Sequence, residues 1–210
     1  MSKKTLHKDD SVRQKLLDAS VKVFAEKGFS QATTREISTL AGANVAAISY
    51  YWGNKEKLYK QVVKELIIER TKNYPLTAAM NESLSPEARL KKFIELFLRR
   101  LLGTGQSAWS SKIMVREMTH PTEAIKMVLS KLIKPTFEVL TSIIYAICGE
   151  AVPQDRVKQM AVSIISQCVF YFNVSNITDR LIKEELLPEF DLEQLVEHIT
   201  KFSLSGLLHD

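Results

Sequence analysis

Residues 33–59, TTREISTLAGANVAAISYYWGNKEKLY, constrain the fold more than any other stretch of this 210-residue chain. Thr33 and Glu36 have the spacing of a capping box, which predicts that a short helix begins there. Gly42 predicts the end of that helix, because glycine readily adopts the left-handed conformation of a helix C-terminus. Asn44 predicts the cap of a second short helix, which runs to about residue 51. Two short helices joined by a tight turn containing glycine are typical of a helix-turn-helix.

Helical periodicity continues through almost the whole chain, and alternating apolar runs joined by hairpin turns are lacking. Apolar residues at helical spacing over 10–27, followed by Gly28, predict a helix before the motif, and Asn54 predicts the cap of one after it. Later helices are predicted at 86–103, 107–118, 122–148, 153–177 and 191–207, with a break or kink at Pro135. A serine before Pro86 and a capping pair of Asp191 with Gln194 mark two of these starts. We therefore expect an all-α protein, divided near residues 73–85.

The net charge of +5 is concentrated in the first third of the chain. Residues 1–72 carry 14 Lys and Arg against 8 Asp and Glu, whereas residues 73–210 carry 15 against 16. A positive head on a nearly neutral body is typical of a protein that binds a polyanion such as a nucleic acid. A modest excess of this kind also occurs on ordinary solvated surfaces, so the charge supports the motif without deciding the function.

Several classes of protein are disfavoured by what the sequence lacks. No apolar run reaches the length of a membrane span, and the polar N-terminus lacks the apolar core of a signal peptide. We therefore expect a cytoplasmic protein with no membrane partner. Fingerprints for phosphate-binding loops, hydrolase nucleophiles and zinc proteases are lacking, and the four His residues are scattered. We expect no catalytic residue, no metal site and no cofactor.

The two cysteines, Cys148 and Cys168, each lie in an apolar stretch outside any metal-binding spacing. Two interpretations stay open for them. They are buried small hydrophobic residues, which agrees with their apolar neighbours, or one of them is a thiol that senses oxidation.

The second helix of the motif carries the side chains that would meet the base edges. It begins with small or polar residues, which would let its backbone enter the major groove. The helix near Thr34 offers free N–H groups and a positive dipole end to a phosphate. Lys55, at the start of the following helix, is predicted to pair with a phosphate on the other side of the groove. The predicted DNA-binding residues are Thr33, Thr34, Arg35, Asn44, Val45, Ala46, Ala47, Ser49, Tyr50, Tyr51 and Lys55.

Three consecutive aromatic residues, Tyr50, Tyr51 and Trp52, end this helix. Three successive side chains point in three directions around a helix, so they do not all face the core of their own segment. We predict that Tyr50 faces the DNA backbone and that Trp52 turns inward as a core anchor. Tyr51 is left open between these two roles.

The order and spacing of these motifs resemble the DNA-binding domain of the tetracycline-repressor (TetR) family. The resemblance covers residues 11–60 and rests on the Gly-Phe pair at 28–29, TTREISTLAGA, the aromatic group and NKEKLY. The chain differs at Asn44, where the family usually has Ser or Thr, and at Ala46, where it usually has Gly. It also has SYYW in place of Tyr-x-His-Phe, so that Ser49 lacks a common aromatic contact.

The resemblance implies an Ω-shaped all-α homodimer that represses nearby genes and leaves a palindromic operator when a small ligand binds. It implies a helix-turn-helix DNA-binding domain over 9–72 and an all-helical ligand-binding and dimerisation domain over 85–210. The apolar segments VKQMAVSIISQCVFYFNV and LEQLVEHITKFSLSGLL agree with pairing, because two such helices often have more apolar surface than one protomer covers. Burial in the core of a single protomer is the other interpretation.

Aromatic and Met residues at helical spacing in the C-terminal part either line an effector pocket or simply form the core. Arg116 and Glu117 are charges within an apolar helix. They lie on an exposed face, or Glu117 orients the polar end of an effector of unknown identity. The predicted ligand-binding residues are Phe93, Phe97, Trp109, Met114, Glu117, Met118, Phe137, Tyr145, Tyr171 and Phe172.

The sequence thus predicts a DNA-binding transcriptional regulator, a repressor that a small-molecule effector releases from its operator. The alternative is a helical protein-interaction adaptor whose helix-turn-helix does not bind DNA, which the altered second helix would fit. An all-α enzyme has no support from any cluster of acid, base or nucleophile. Activation in place of repression also stays open, because the direction of the effect depends on where the operator lies.

Overall fold

The computed structural model describes residues 3–102, 106–174, 178–185 and 191–208, and regular structure in these ranges is helical throughout. The helices in chain order are α1 (Lys3–Gln31), α2 (Thr34–Ala41), α3 (Val45–Trp52), α4 (Lys55–Asn73), α5 (Pro86–Leu102), α6 (Gln106–Thr119), α7 (Ile125–Val128), α8 (Lys134–Cys148), α9 (Gln154–Val174), α10 (Thr178–Lys183) and α11 (Leu192–Leu208). A 3₁₀ turn (Leu76–Met80) follows α4, and a π turn (Leu129–Ile133) joins α7 to α8. The prediction of an all-α protein is confirmed.

The predicted boundaries of the two short helices are confirmed by their caps. The Thr33 hydroxyl accepts a hydrogen bond from the Glu36 amide at 3.2 Å, and the Glu36 carboxylate accepts one from the Thr33 amide at 3.1 Å. Gly42 ends α2 in the left-handed conformation, with a φ of 62°. The side-chain oxygen of Asn44 accepts a hydrogen bond from the Ala46 amide at 2.9 Å, so α3 begins where the sequence predicts.

Residues 1–69 and 104–132 form the first compact unit. In it α1 packs against α2, α3 and α6. The side chains of Phe24, Ile37 and Ile48 are fully buried between these helices. Burial of each contributes about 1.5–3 kcal/mol, so the angle between α2 and α3 depends on this core as well as on the turn.

Leu40 corrects one expectation about α2. The periodicity predicts that Leu40 and Ala41 face inward with Ile37; Ala41 is half-buried, but the Leu40 side chain is 55% exposed. The buried residues of α2 are Ile37 and Ser38, so the buried face is centred on that pair. At 100° per residue, Leu40 falls well outside a face centred there.

Residues 70–103 and 133–210 form the second compact unit. Its core lies between α5, α8, α9 and α11 and includes the fully buried Phe93, Leu98 and Ile144. The predicted caps of α5 and α11 are confirmed, since the Ala88 amide donates to the Ser85 hydroxyl and the Gln194 amide donates to the Asp191 carboxylate.

The helix predicted over 122–148 with a break or kink at Pro135 is confirmed in outline, because α7, the π turn and α8 follow one another without a gap from Ile125 to Cys148. The π turn (Leu129–Ile133) interrupts the α-helical pattern and ends two residues before Pro135. Farther on, α9 is described to Val174, and the last predicted residues of that helix, 175–177, lie outside the described part of the chain.

The predicted domains, 9–72 and 85–210, differ from this grouping in the place of α6. Its residues belong to the first unit, where α6 packs against α1. Within the described ranges, no helix combines the length and apolar character that a membrane span requires. In the same ranges, His, Cys, Asp and Glu side chains form no group of three or more that could hold a metal ion.

Candidate nucleic-acid interface

One face of α3 is open to solvent along its whole length. Val45 is 44% exposed, Ala46 and Ser49 are exposed, and Tyr50 is 76% exposed. Val45 and Ser49 are four residues apart, as are Ala46 and Tyr50, so the two pairs lie side by side on one side of the helix. Ala47 is half-buried beside them. A face of small side chains without charge lets a helix approach the floor of the major groove closely.

The opposite face of α3 anchors the helix in the first unit. Ile48 is fully buried and Trp52 is buried, which confirms the inward direction predicted for Trp52. The guanidinium of Arg13, on α1, lies over the Trp52 ring at 5.6 Å from the centroid, a cation–π contact. α3 is thus held to α1 through its last turn while its outer face stays free.

The start of α2 carries hydrogen-bond donors. Arg35 is exposed, and Thr34 is half-buried at the first helical position. Thr33 is exposed, and its hydroxyl donates to the Glu36 carboxylate at 2.9 Å while it caps the helix. The free N–H groups and the positive end of the helix dipole of α2 lie at the same place.

Glu36 ties the beginning of α2 to α1. Its carboxylate pairs with the ammonium of Lys27 and accepts the two hydrogen bonds of Thr33. The hydrogen bond from Lys27, followed by those from Thr33, lowers the pKa of Glu36 to about 2. The carboxylate therefore stays ionised at neutral pH, and its charge is compensated inside the first unit.

Tyr50 and Tyr51 extend the polar rim on the other side of α3. Their rings meet edge to face with centroids 5.0 Å apart, and the Tyr51 ring meets that of Trp52 in the same way at 5.5 Å. Tyr51 is half-buried between an exposed and a buried neighbour. Tyr51 thus contacts both rings, and the choice between a DNA-backbone contact and a core position stays open.

Lys55 occupies a different environment from the one expected of a phosphate contact. Its ammonium donates to the carbonyl oxygens of Phe29 and Ala32, both at 2.9 Å, and lies over the Phe29 ring at 4.5 Å. Two of its three N–H donors therefore have partners at the end of α1. The phosphate role of Lys55 stays a prediction, and its observed partners are intramolecular.

The predicted effector residues fall into two groups. Six of them contribute to the core of the second unit: Phe93, Phe97, Phe137, Tyr145, Tyr171 and Phe172. Phe93 is fully buried, and its ring stacks on that of Phe97 at 5.8 Å. Four lie on α6 in the first unit: Trp109, Met114, Glu117 and Met118. Of these, Met114 is buried and Met118 is exposed.

Glu117 does not lie on an exposed face, and its role toward an effector stays a prediction. It is 1% exposed, and its carboxylate accepts hydrogen bonds from the Tyr59 hydroxyl at 2.8 Å and the Thr122 hydroxyl at 3.0 Å. Burial, followed by the hydrogen bond to Glu117, raises the pKa of Tyr59. The sequence analysis did not predict that Tyr59 is a hydrogen-bond partner of Glu117. The signal it offered for this buried pair was a charged residue at position 117 within an apolar helix.

Comparison with known proteins decides the family. Residues 16–62 match the family described as bacterial regulatory proteins, tetR family. Residues 86–207, more than half of the chain, match the C-terminal domain of the HTH-type transcriptional dual regulator CecR. The chain belongs to the TetR family of transcriptional regulators. It is a DNA-binding transcriptional regulator and not an enzyme.

Individual relatives agree with this assignment. The chain is 34% identical over 151 residues to the dual regulator CecR of Shigella flexneri. This match covers 68% of this chain and 67% of that protein. The chain is 44% identical over 57 residues to the transcriptional repressor NicS of Pseudomonas putida, 27% of each chain. The crystal structure of AibR in complex with isovaleryl coenzyme A and operator DNA has a TM-score of 0.68 at 14% identity, covering 91% of this chain and 97% of AibR. That last likeness is one of fold. Regulators of this family bind operator DNA and small-molecule effectors.

Proposed function

We propose that a homodimer of this TetR-family chain binds a two-fold symmetric operator through α3, and that a small-molecule effector in the second unit controls its release. The exposed, uncharged face of α3 carries this proposal, together with the hydrogen-bond donors that the start of α2 and the last turn of α3 offer. We expect the protein to work in the cytoplasm, where bacterial DNA lies.

Two sets of side chains have different tasks in this proposal. Val45, Ala46, Ala47 and Ser49 meet base edges and specify the sequence, with Asn44 capping the helix that presents them. The backbone-gripping set contacts phosphates on both sides of the groove and carries no sequence information. It comprises Thr33, Thr34, Arg35, Tyr50 and Tyr51.

Exposed apolar side chains in the second unit support pairing of two protomers. On α9, Val162 and Phe170 are 50% and 53% exposed, and they lie two helical turns apart on one side. On α11, Phe202 is 65% exposed. A two-fold four-helix bundle of α9 and α11 would remove these surfaces from water. It would also present two copies of α3 to one duplex, one helical turn or about 34–36 Å apart.

The aromatic residues of the second unit support an apolar effector site there. Phe97, Phe137, Tyr145, Tyr171 and Phe172 are only partly buried against the core. Partly buried aromatic rings with a few hydroxyl groups suit an apolar ligand with a polar end. Binding of a ligand there shifts DNA affinity only if the ligand prefers the conformation that fits the operator less well.

The name of the Shigella flexneri relative describes a dual regulator, so activation at some operators is kept beside repression at others.

Purified protein and a random pool of duplex DNA test the proposal. We expect salt-sensitive selection of one two-fold symmetric sequence. Binding without sequence preference at low salt would contradict it.

A further inference from the structure

Helix α1 is broken at Gly28, five residues before Thr33, the cap of α2. Gly28 has a φ of 76° and a ψ of 173°, which are not helical values. A break of this kind removes carbonyl oxygens from the helical hydrogen-bond ladder. The Ala32 amide, which follows α1, donates to the Gly28 oxygen at 3.3 Å.

Two cations from other helices bind three carbonyls around the break. Arg116, on α6, donates from its guanidinium to the Glu26 oxygen at 2.8 Å. Lys55, at the start of α4, donates to the Phe29 and Ala32 oxygens at 2.9 Å each. Positive groups also complement the negative dipole end of α1, so both cations stabilise the break electrostatically.

The break leaves room for the arginine because residue 28 has no side chain. A Cβ at Gly28 would lie 2.7 Å from Nη1 of Arg116. Beside Arg116, Glu117 accepts the hydroxyl of Tyr59 from α4. Two adjacent residues of α6 therefore contact α1 and α4 at once, and both contacts lie inside the first unit.

We infer that Arg116 and Lys55 are positioning residues for DNA binding, which hold the break in α1 and thereby set the direction in which the chain enters α2. The next residue after the capped carbonyl of Ala32 is Thr33, the cap of α2. A change in the break therefore moves the N-terminus of α2 and, through the tight turn, the face of α3. The inference rests on the proposed reading of DNA by α3.

The inference also gives Lys55 a role distinct from phosphate binding, and the two roles have different salt signatures. Loss of a phosphate contact lowers the affinity for every sequence and reduces the salt slope by about 1. Loss of a positioning contact leaves the charge that faces DNA unchanged. It therefore weakens binding to the operator while non-specific binding keeps its affinity and its slope.

The test uses the full chain and the duplex that the wild-type protein selects from a random pool. Arg116→Gln and Lys55→Met are compared with Lys112→Gln on α6 and Lys64→Met on α4, two exposed lysines on the same helices. Affinity for the selected duplex and for a scrambled duplex is measured across a salt series at 20 °C, with thermal unfolding recorded for each variant. Arg116→Lys keeps the charge but lacks the planar fork.

We expect the ratio of specific to non-specific affinity to fall about tenfold in Arg116→Gln and in Lys55→Met, to recover in part in Arg116→Lys, and to stay unchanged in both controls. A lower thermal midpoint with an unchanged ratio would overturn the inference, because the contacts would then be structural only. An equal loss on both duplexes with a reduced salt slope would overturn it for Lys55 and make that residue a phosphate contact. Failure of the wild-type protein to select any duplex would instead count against the proposed function.

Discussion

At Gly28 the backbone has a conformation that residues with a Cβ rarely adopt. Gly28→Ala would place a methyl group against the guanidinium of Arg116 in addition to straining the backbone. We expect Gly28→Ala to destabilise the protein by about 1–2 kcal/mol and to weaken operator binding further than that loss explains. Urea unfolding and operator titrations check this. Ser30→Ala, an exposed neighbour, is the control, and equal behaviour of the two variants would contradict the expectation.

Glu36 gives the first unit a predictable response to acid. Its pKa of about 2 in the folded protein lies below the 4.5 of a free glutamate, because Lys27 and Thr33 stabilise the ionised form. A depressed pKa contributes stability that is present above pH 4.5 and is lost as the pH falls toward 2. We expect Glu36→Gln to remove part of the decline in thermal midpoint across that window, whereas Glu150→Gln, an exposed acid in the second unit, retains it. Identical acid profiles for wild type and Glu36→Gln would show that the capping box does not depend on the charge.

The two cysteines differ in their surroundings. Cys168 is fully buried, and burial raises the pKa of its thiol to about 12. A thiol with so little thiolate at neutral pH is a poor target for oxidants, which supports the interpretation of Cys168 as a buried hydrophobic residue. Cys148 is half-buried, and its Sγ donates to the Leu207 carbonyl at 3.4 Å.

At the scale of the helix, substitution of the exposed Tyr50 at the end of α3 distinguishes a phosphate contact from a base contact. We expect Tyr50→Phe to weaken binding to all sequences about fivefold per protomer, because each protomer loses one hydrogen bond of about 1 kcal/mol to a phosphate. Titration of the variant against a series of duplexes, with Tyr74→Phe in the second unit as the control, measures this. A change in the order of preference among the duplexes would mean that Tyr50 contacts bases.

The caps of α2 and α3 could be predicted from sequence because each depends on residues within four positions of one another. Thr33 with Glu36 and Asn44 with Ala46 need no distant partner. The place of α6 could not be predicted in this way. Its contacts join Tyr59 to Glu117 and Glu26 to Arg116 across 58 and 90 residues, and nothing local distinguishes those charges from solvent-exposed ones.

The same limit applies to Leu40 and Lys55. Helical periodicity sets the directions of side chains relative to one another, but the packing of α2 on α1 decides which direction is inside. Lys55 has the sequence context of a phosphate contact, yet its ammonium has carbonyl partners that exist only because α1 breaks at Gly28. Local patterns predicted the elements and the exposed face of α3, whereas tertiary contacts determine the partners of the charges.

For the whole molecule, pairing through α9 and α11 predicts the effect of a charge on their exposed apolar face. We expect Phe202→Glu to yield a monomer by light scattering, because a buried unpaired carboxylate at the interface is unfavourable. Operator affinity should then fall at least a hundredfold, since one α3 in one groove makes too few contacts. Leu129→Glu, at an exposed apolar residue of the first unit, should remain a dimer. A dimer that survives in Phe202→Glu would place the interface elsewhere.

We propose that the exposed face of α3 meets the edges of base pairs, once in each half of a symmetric site. The decisive experiment is selection from a random duplex pool by the wild-type protein and by Val45→Ser, followed by sequencing. We expect a two-fold symmetric sequence for the wild type and, for the variant, a changed base preference at the same position in both half-sites. An identical preferred sequence for the two proteins, or a selected sequence without symmetry, would contradict it.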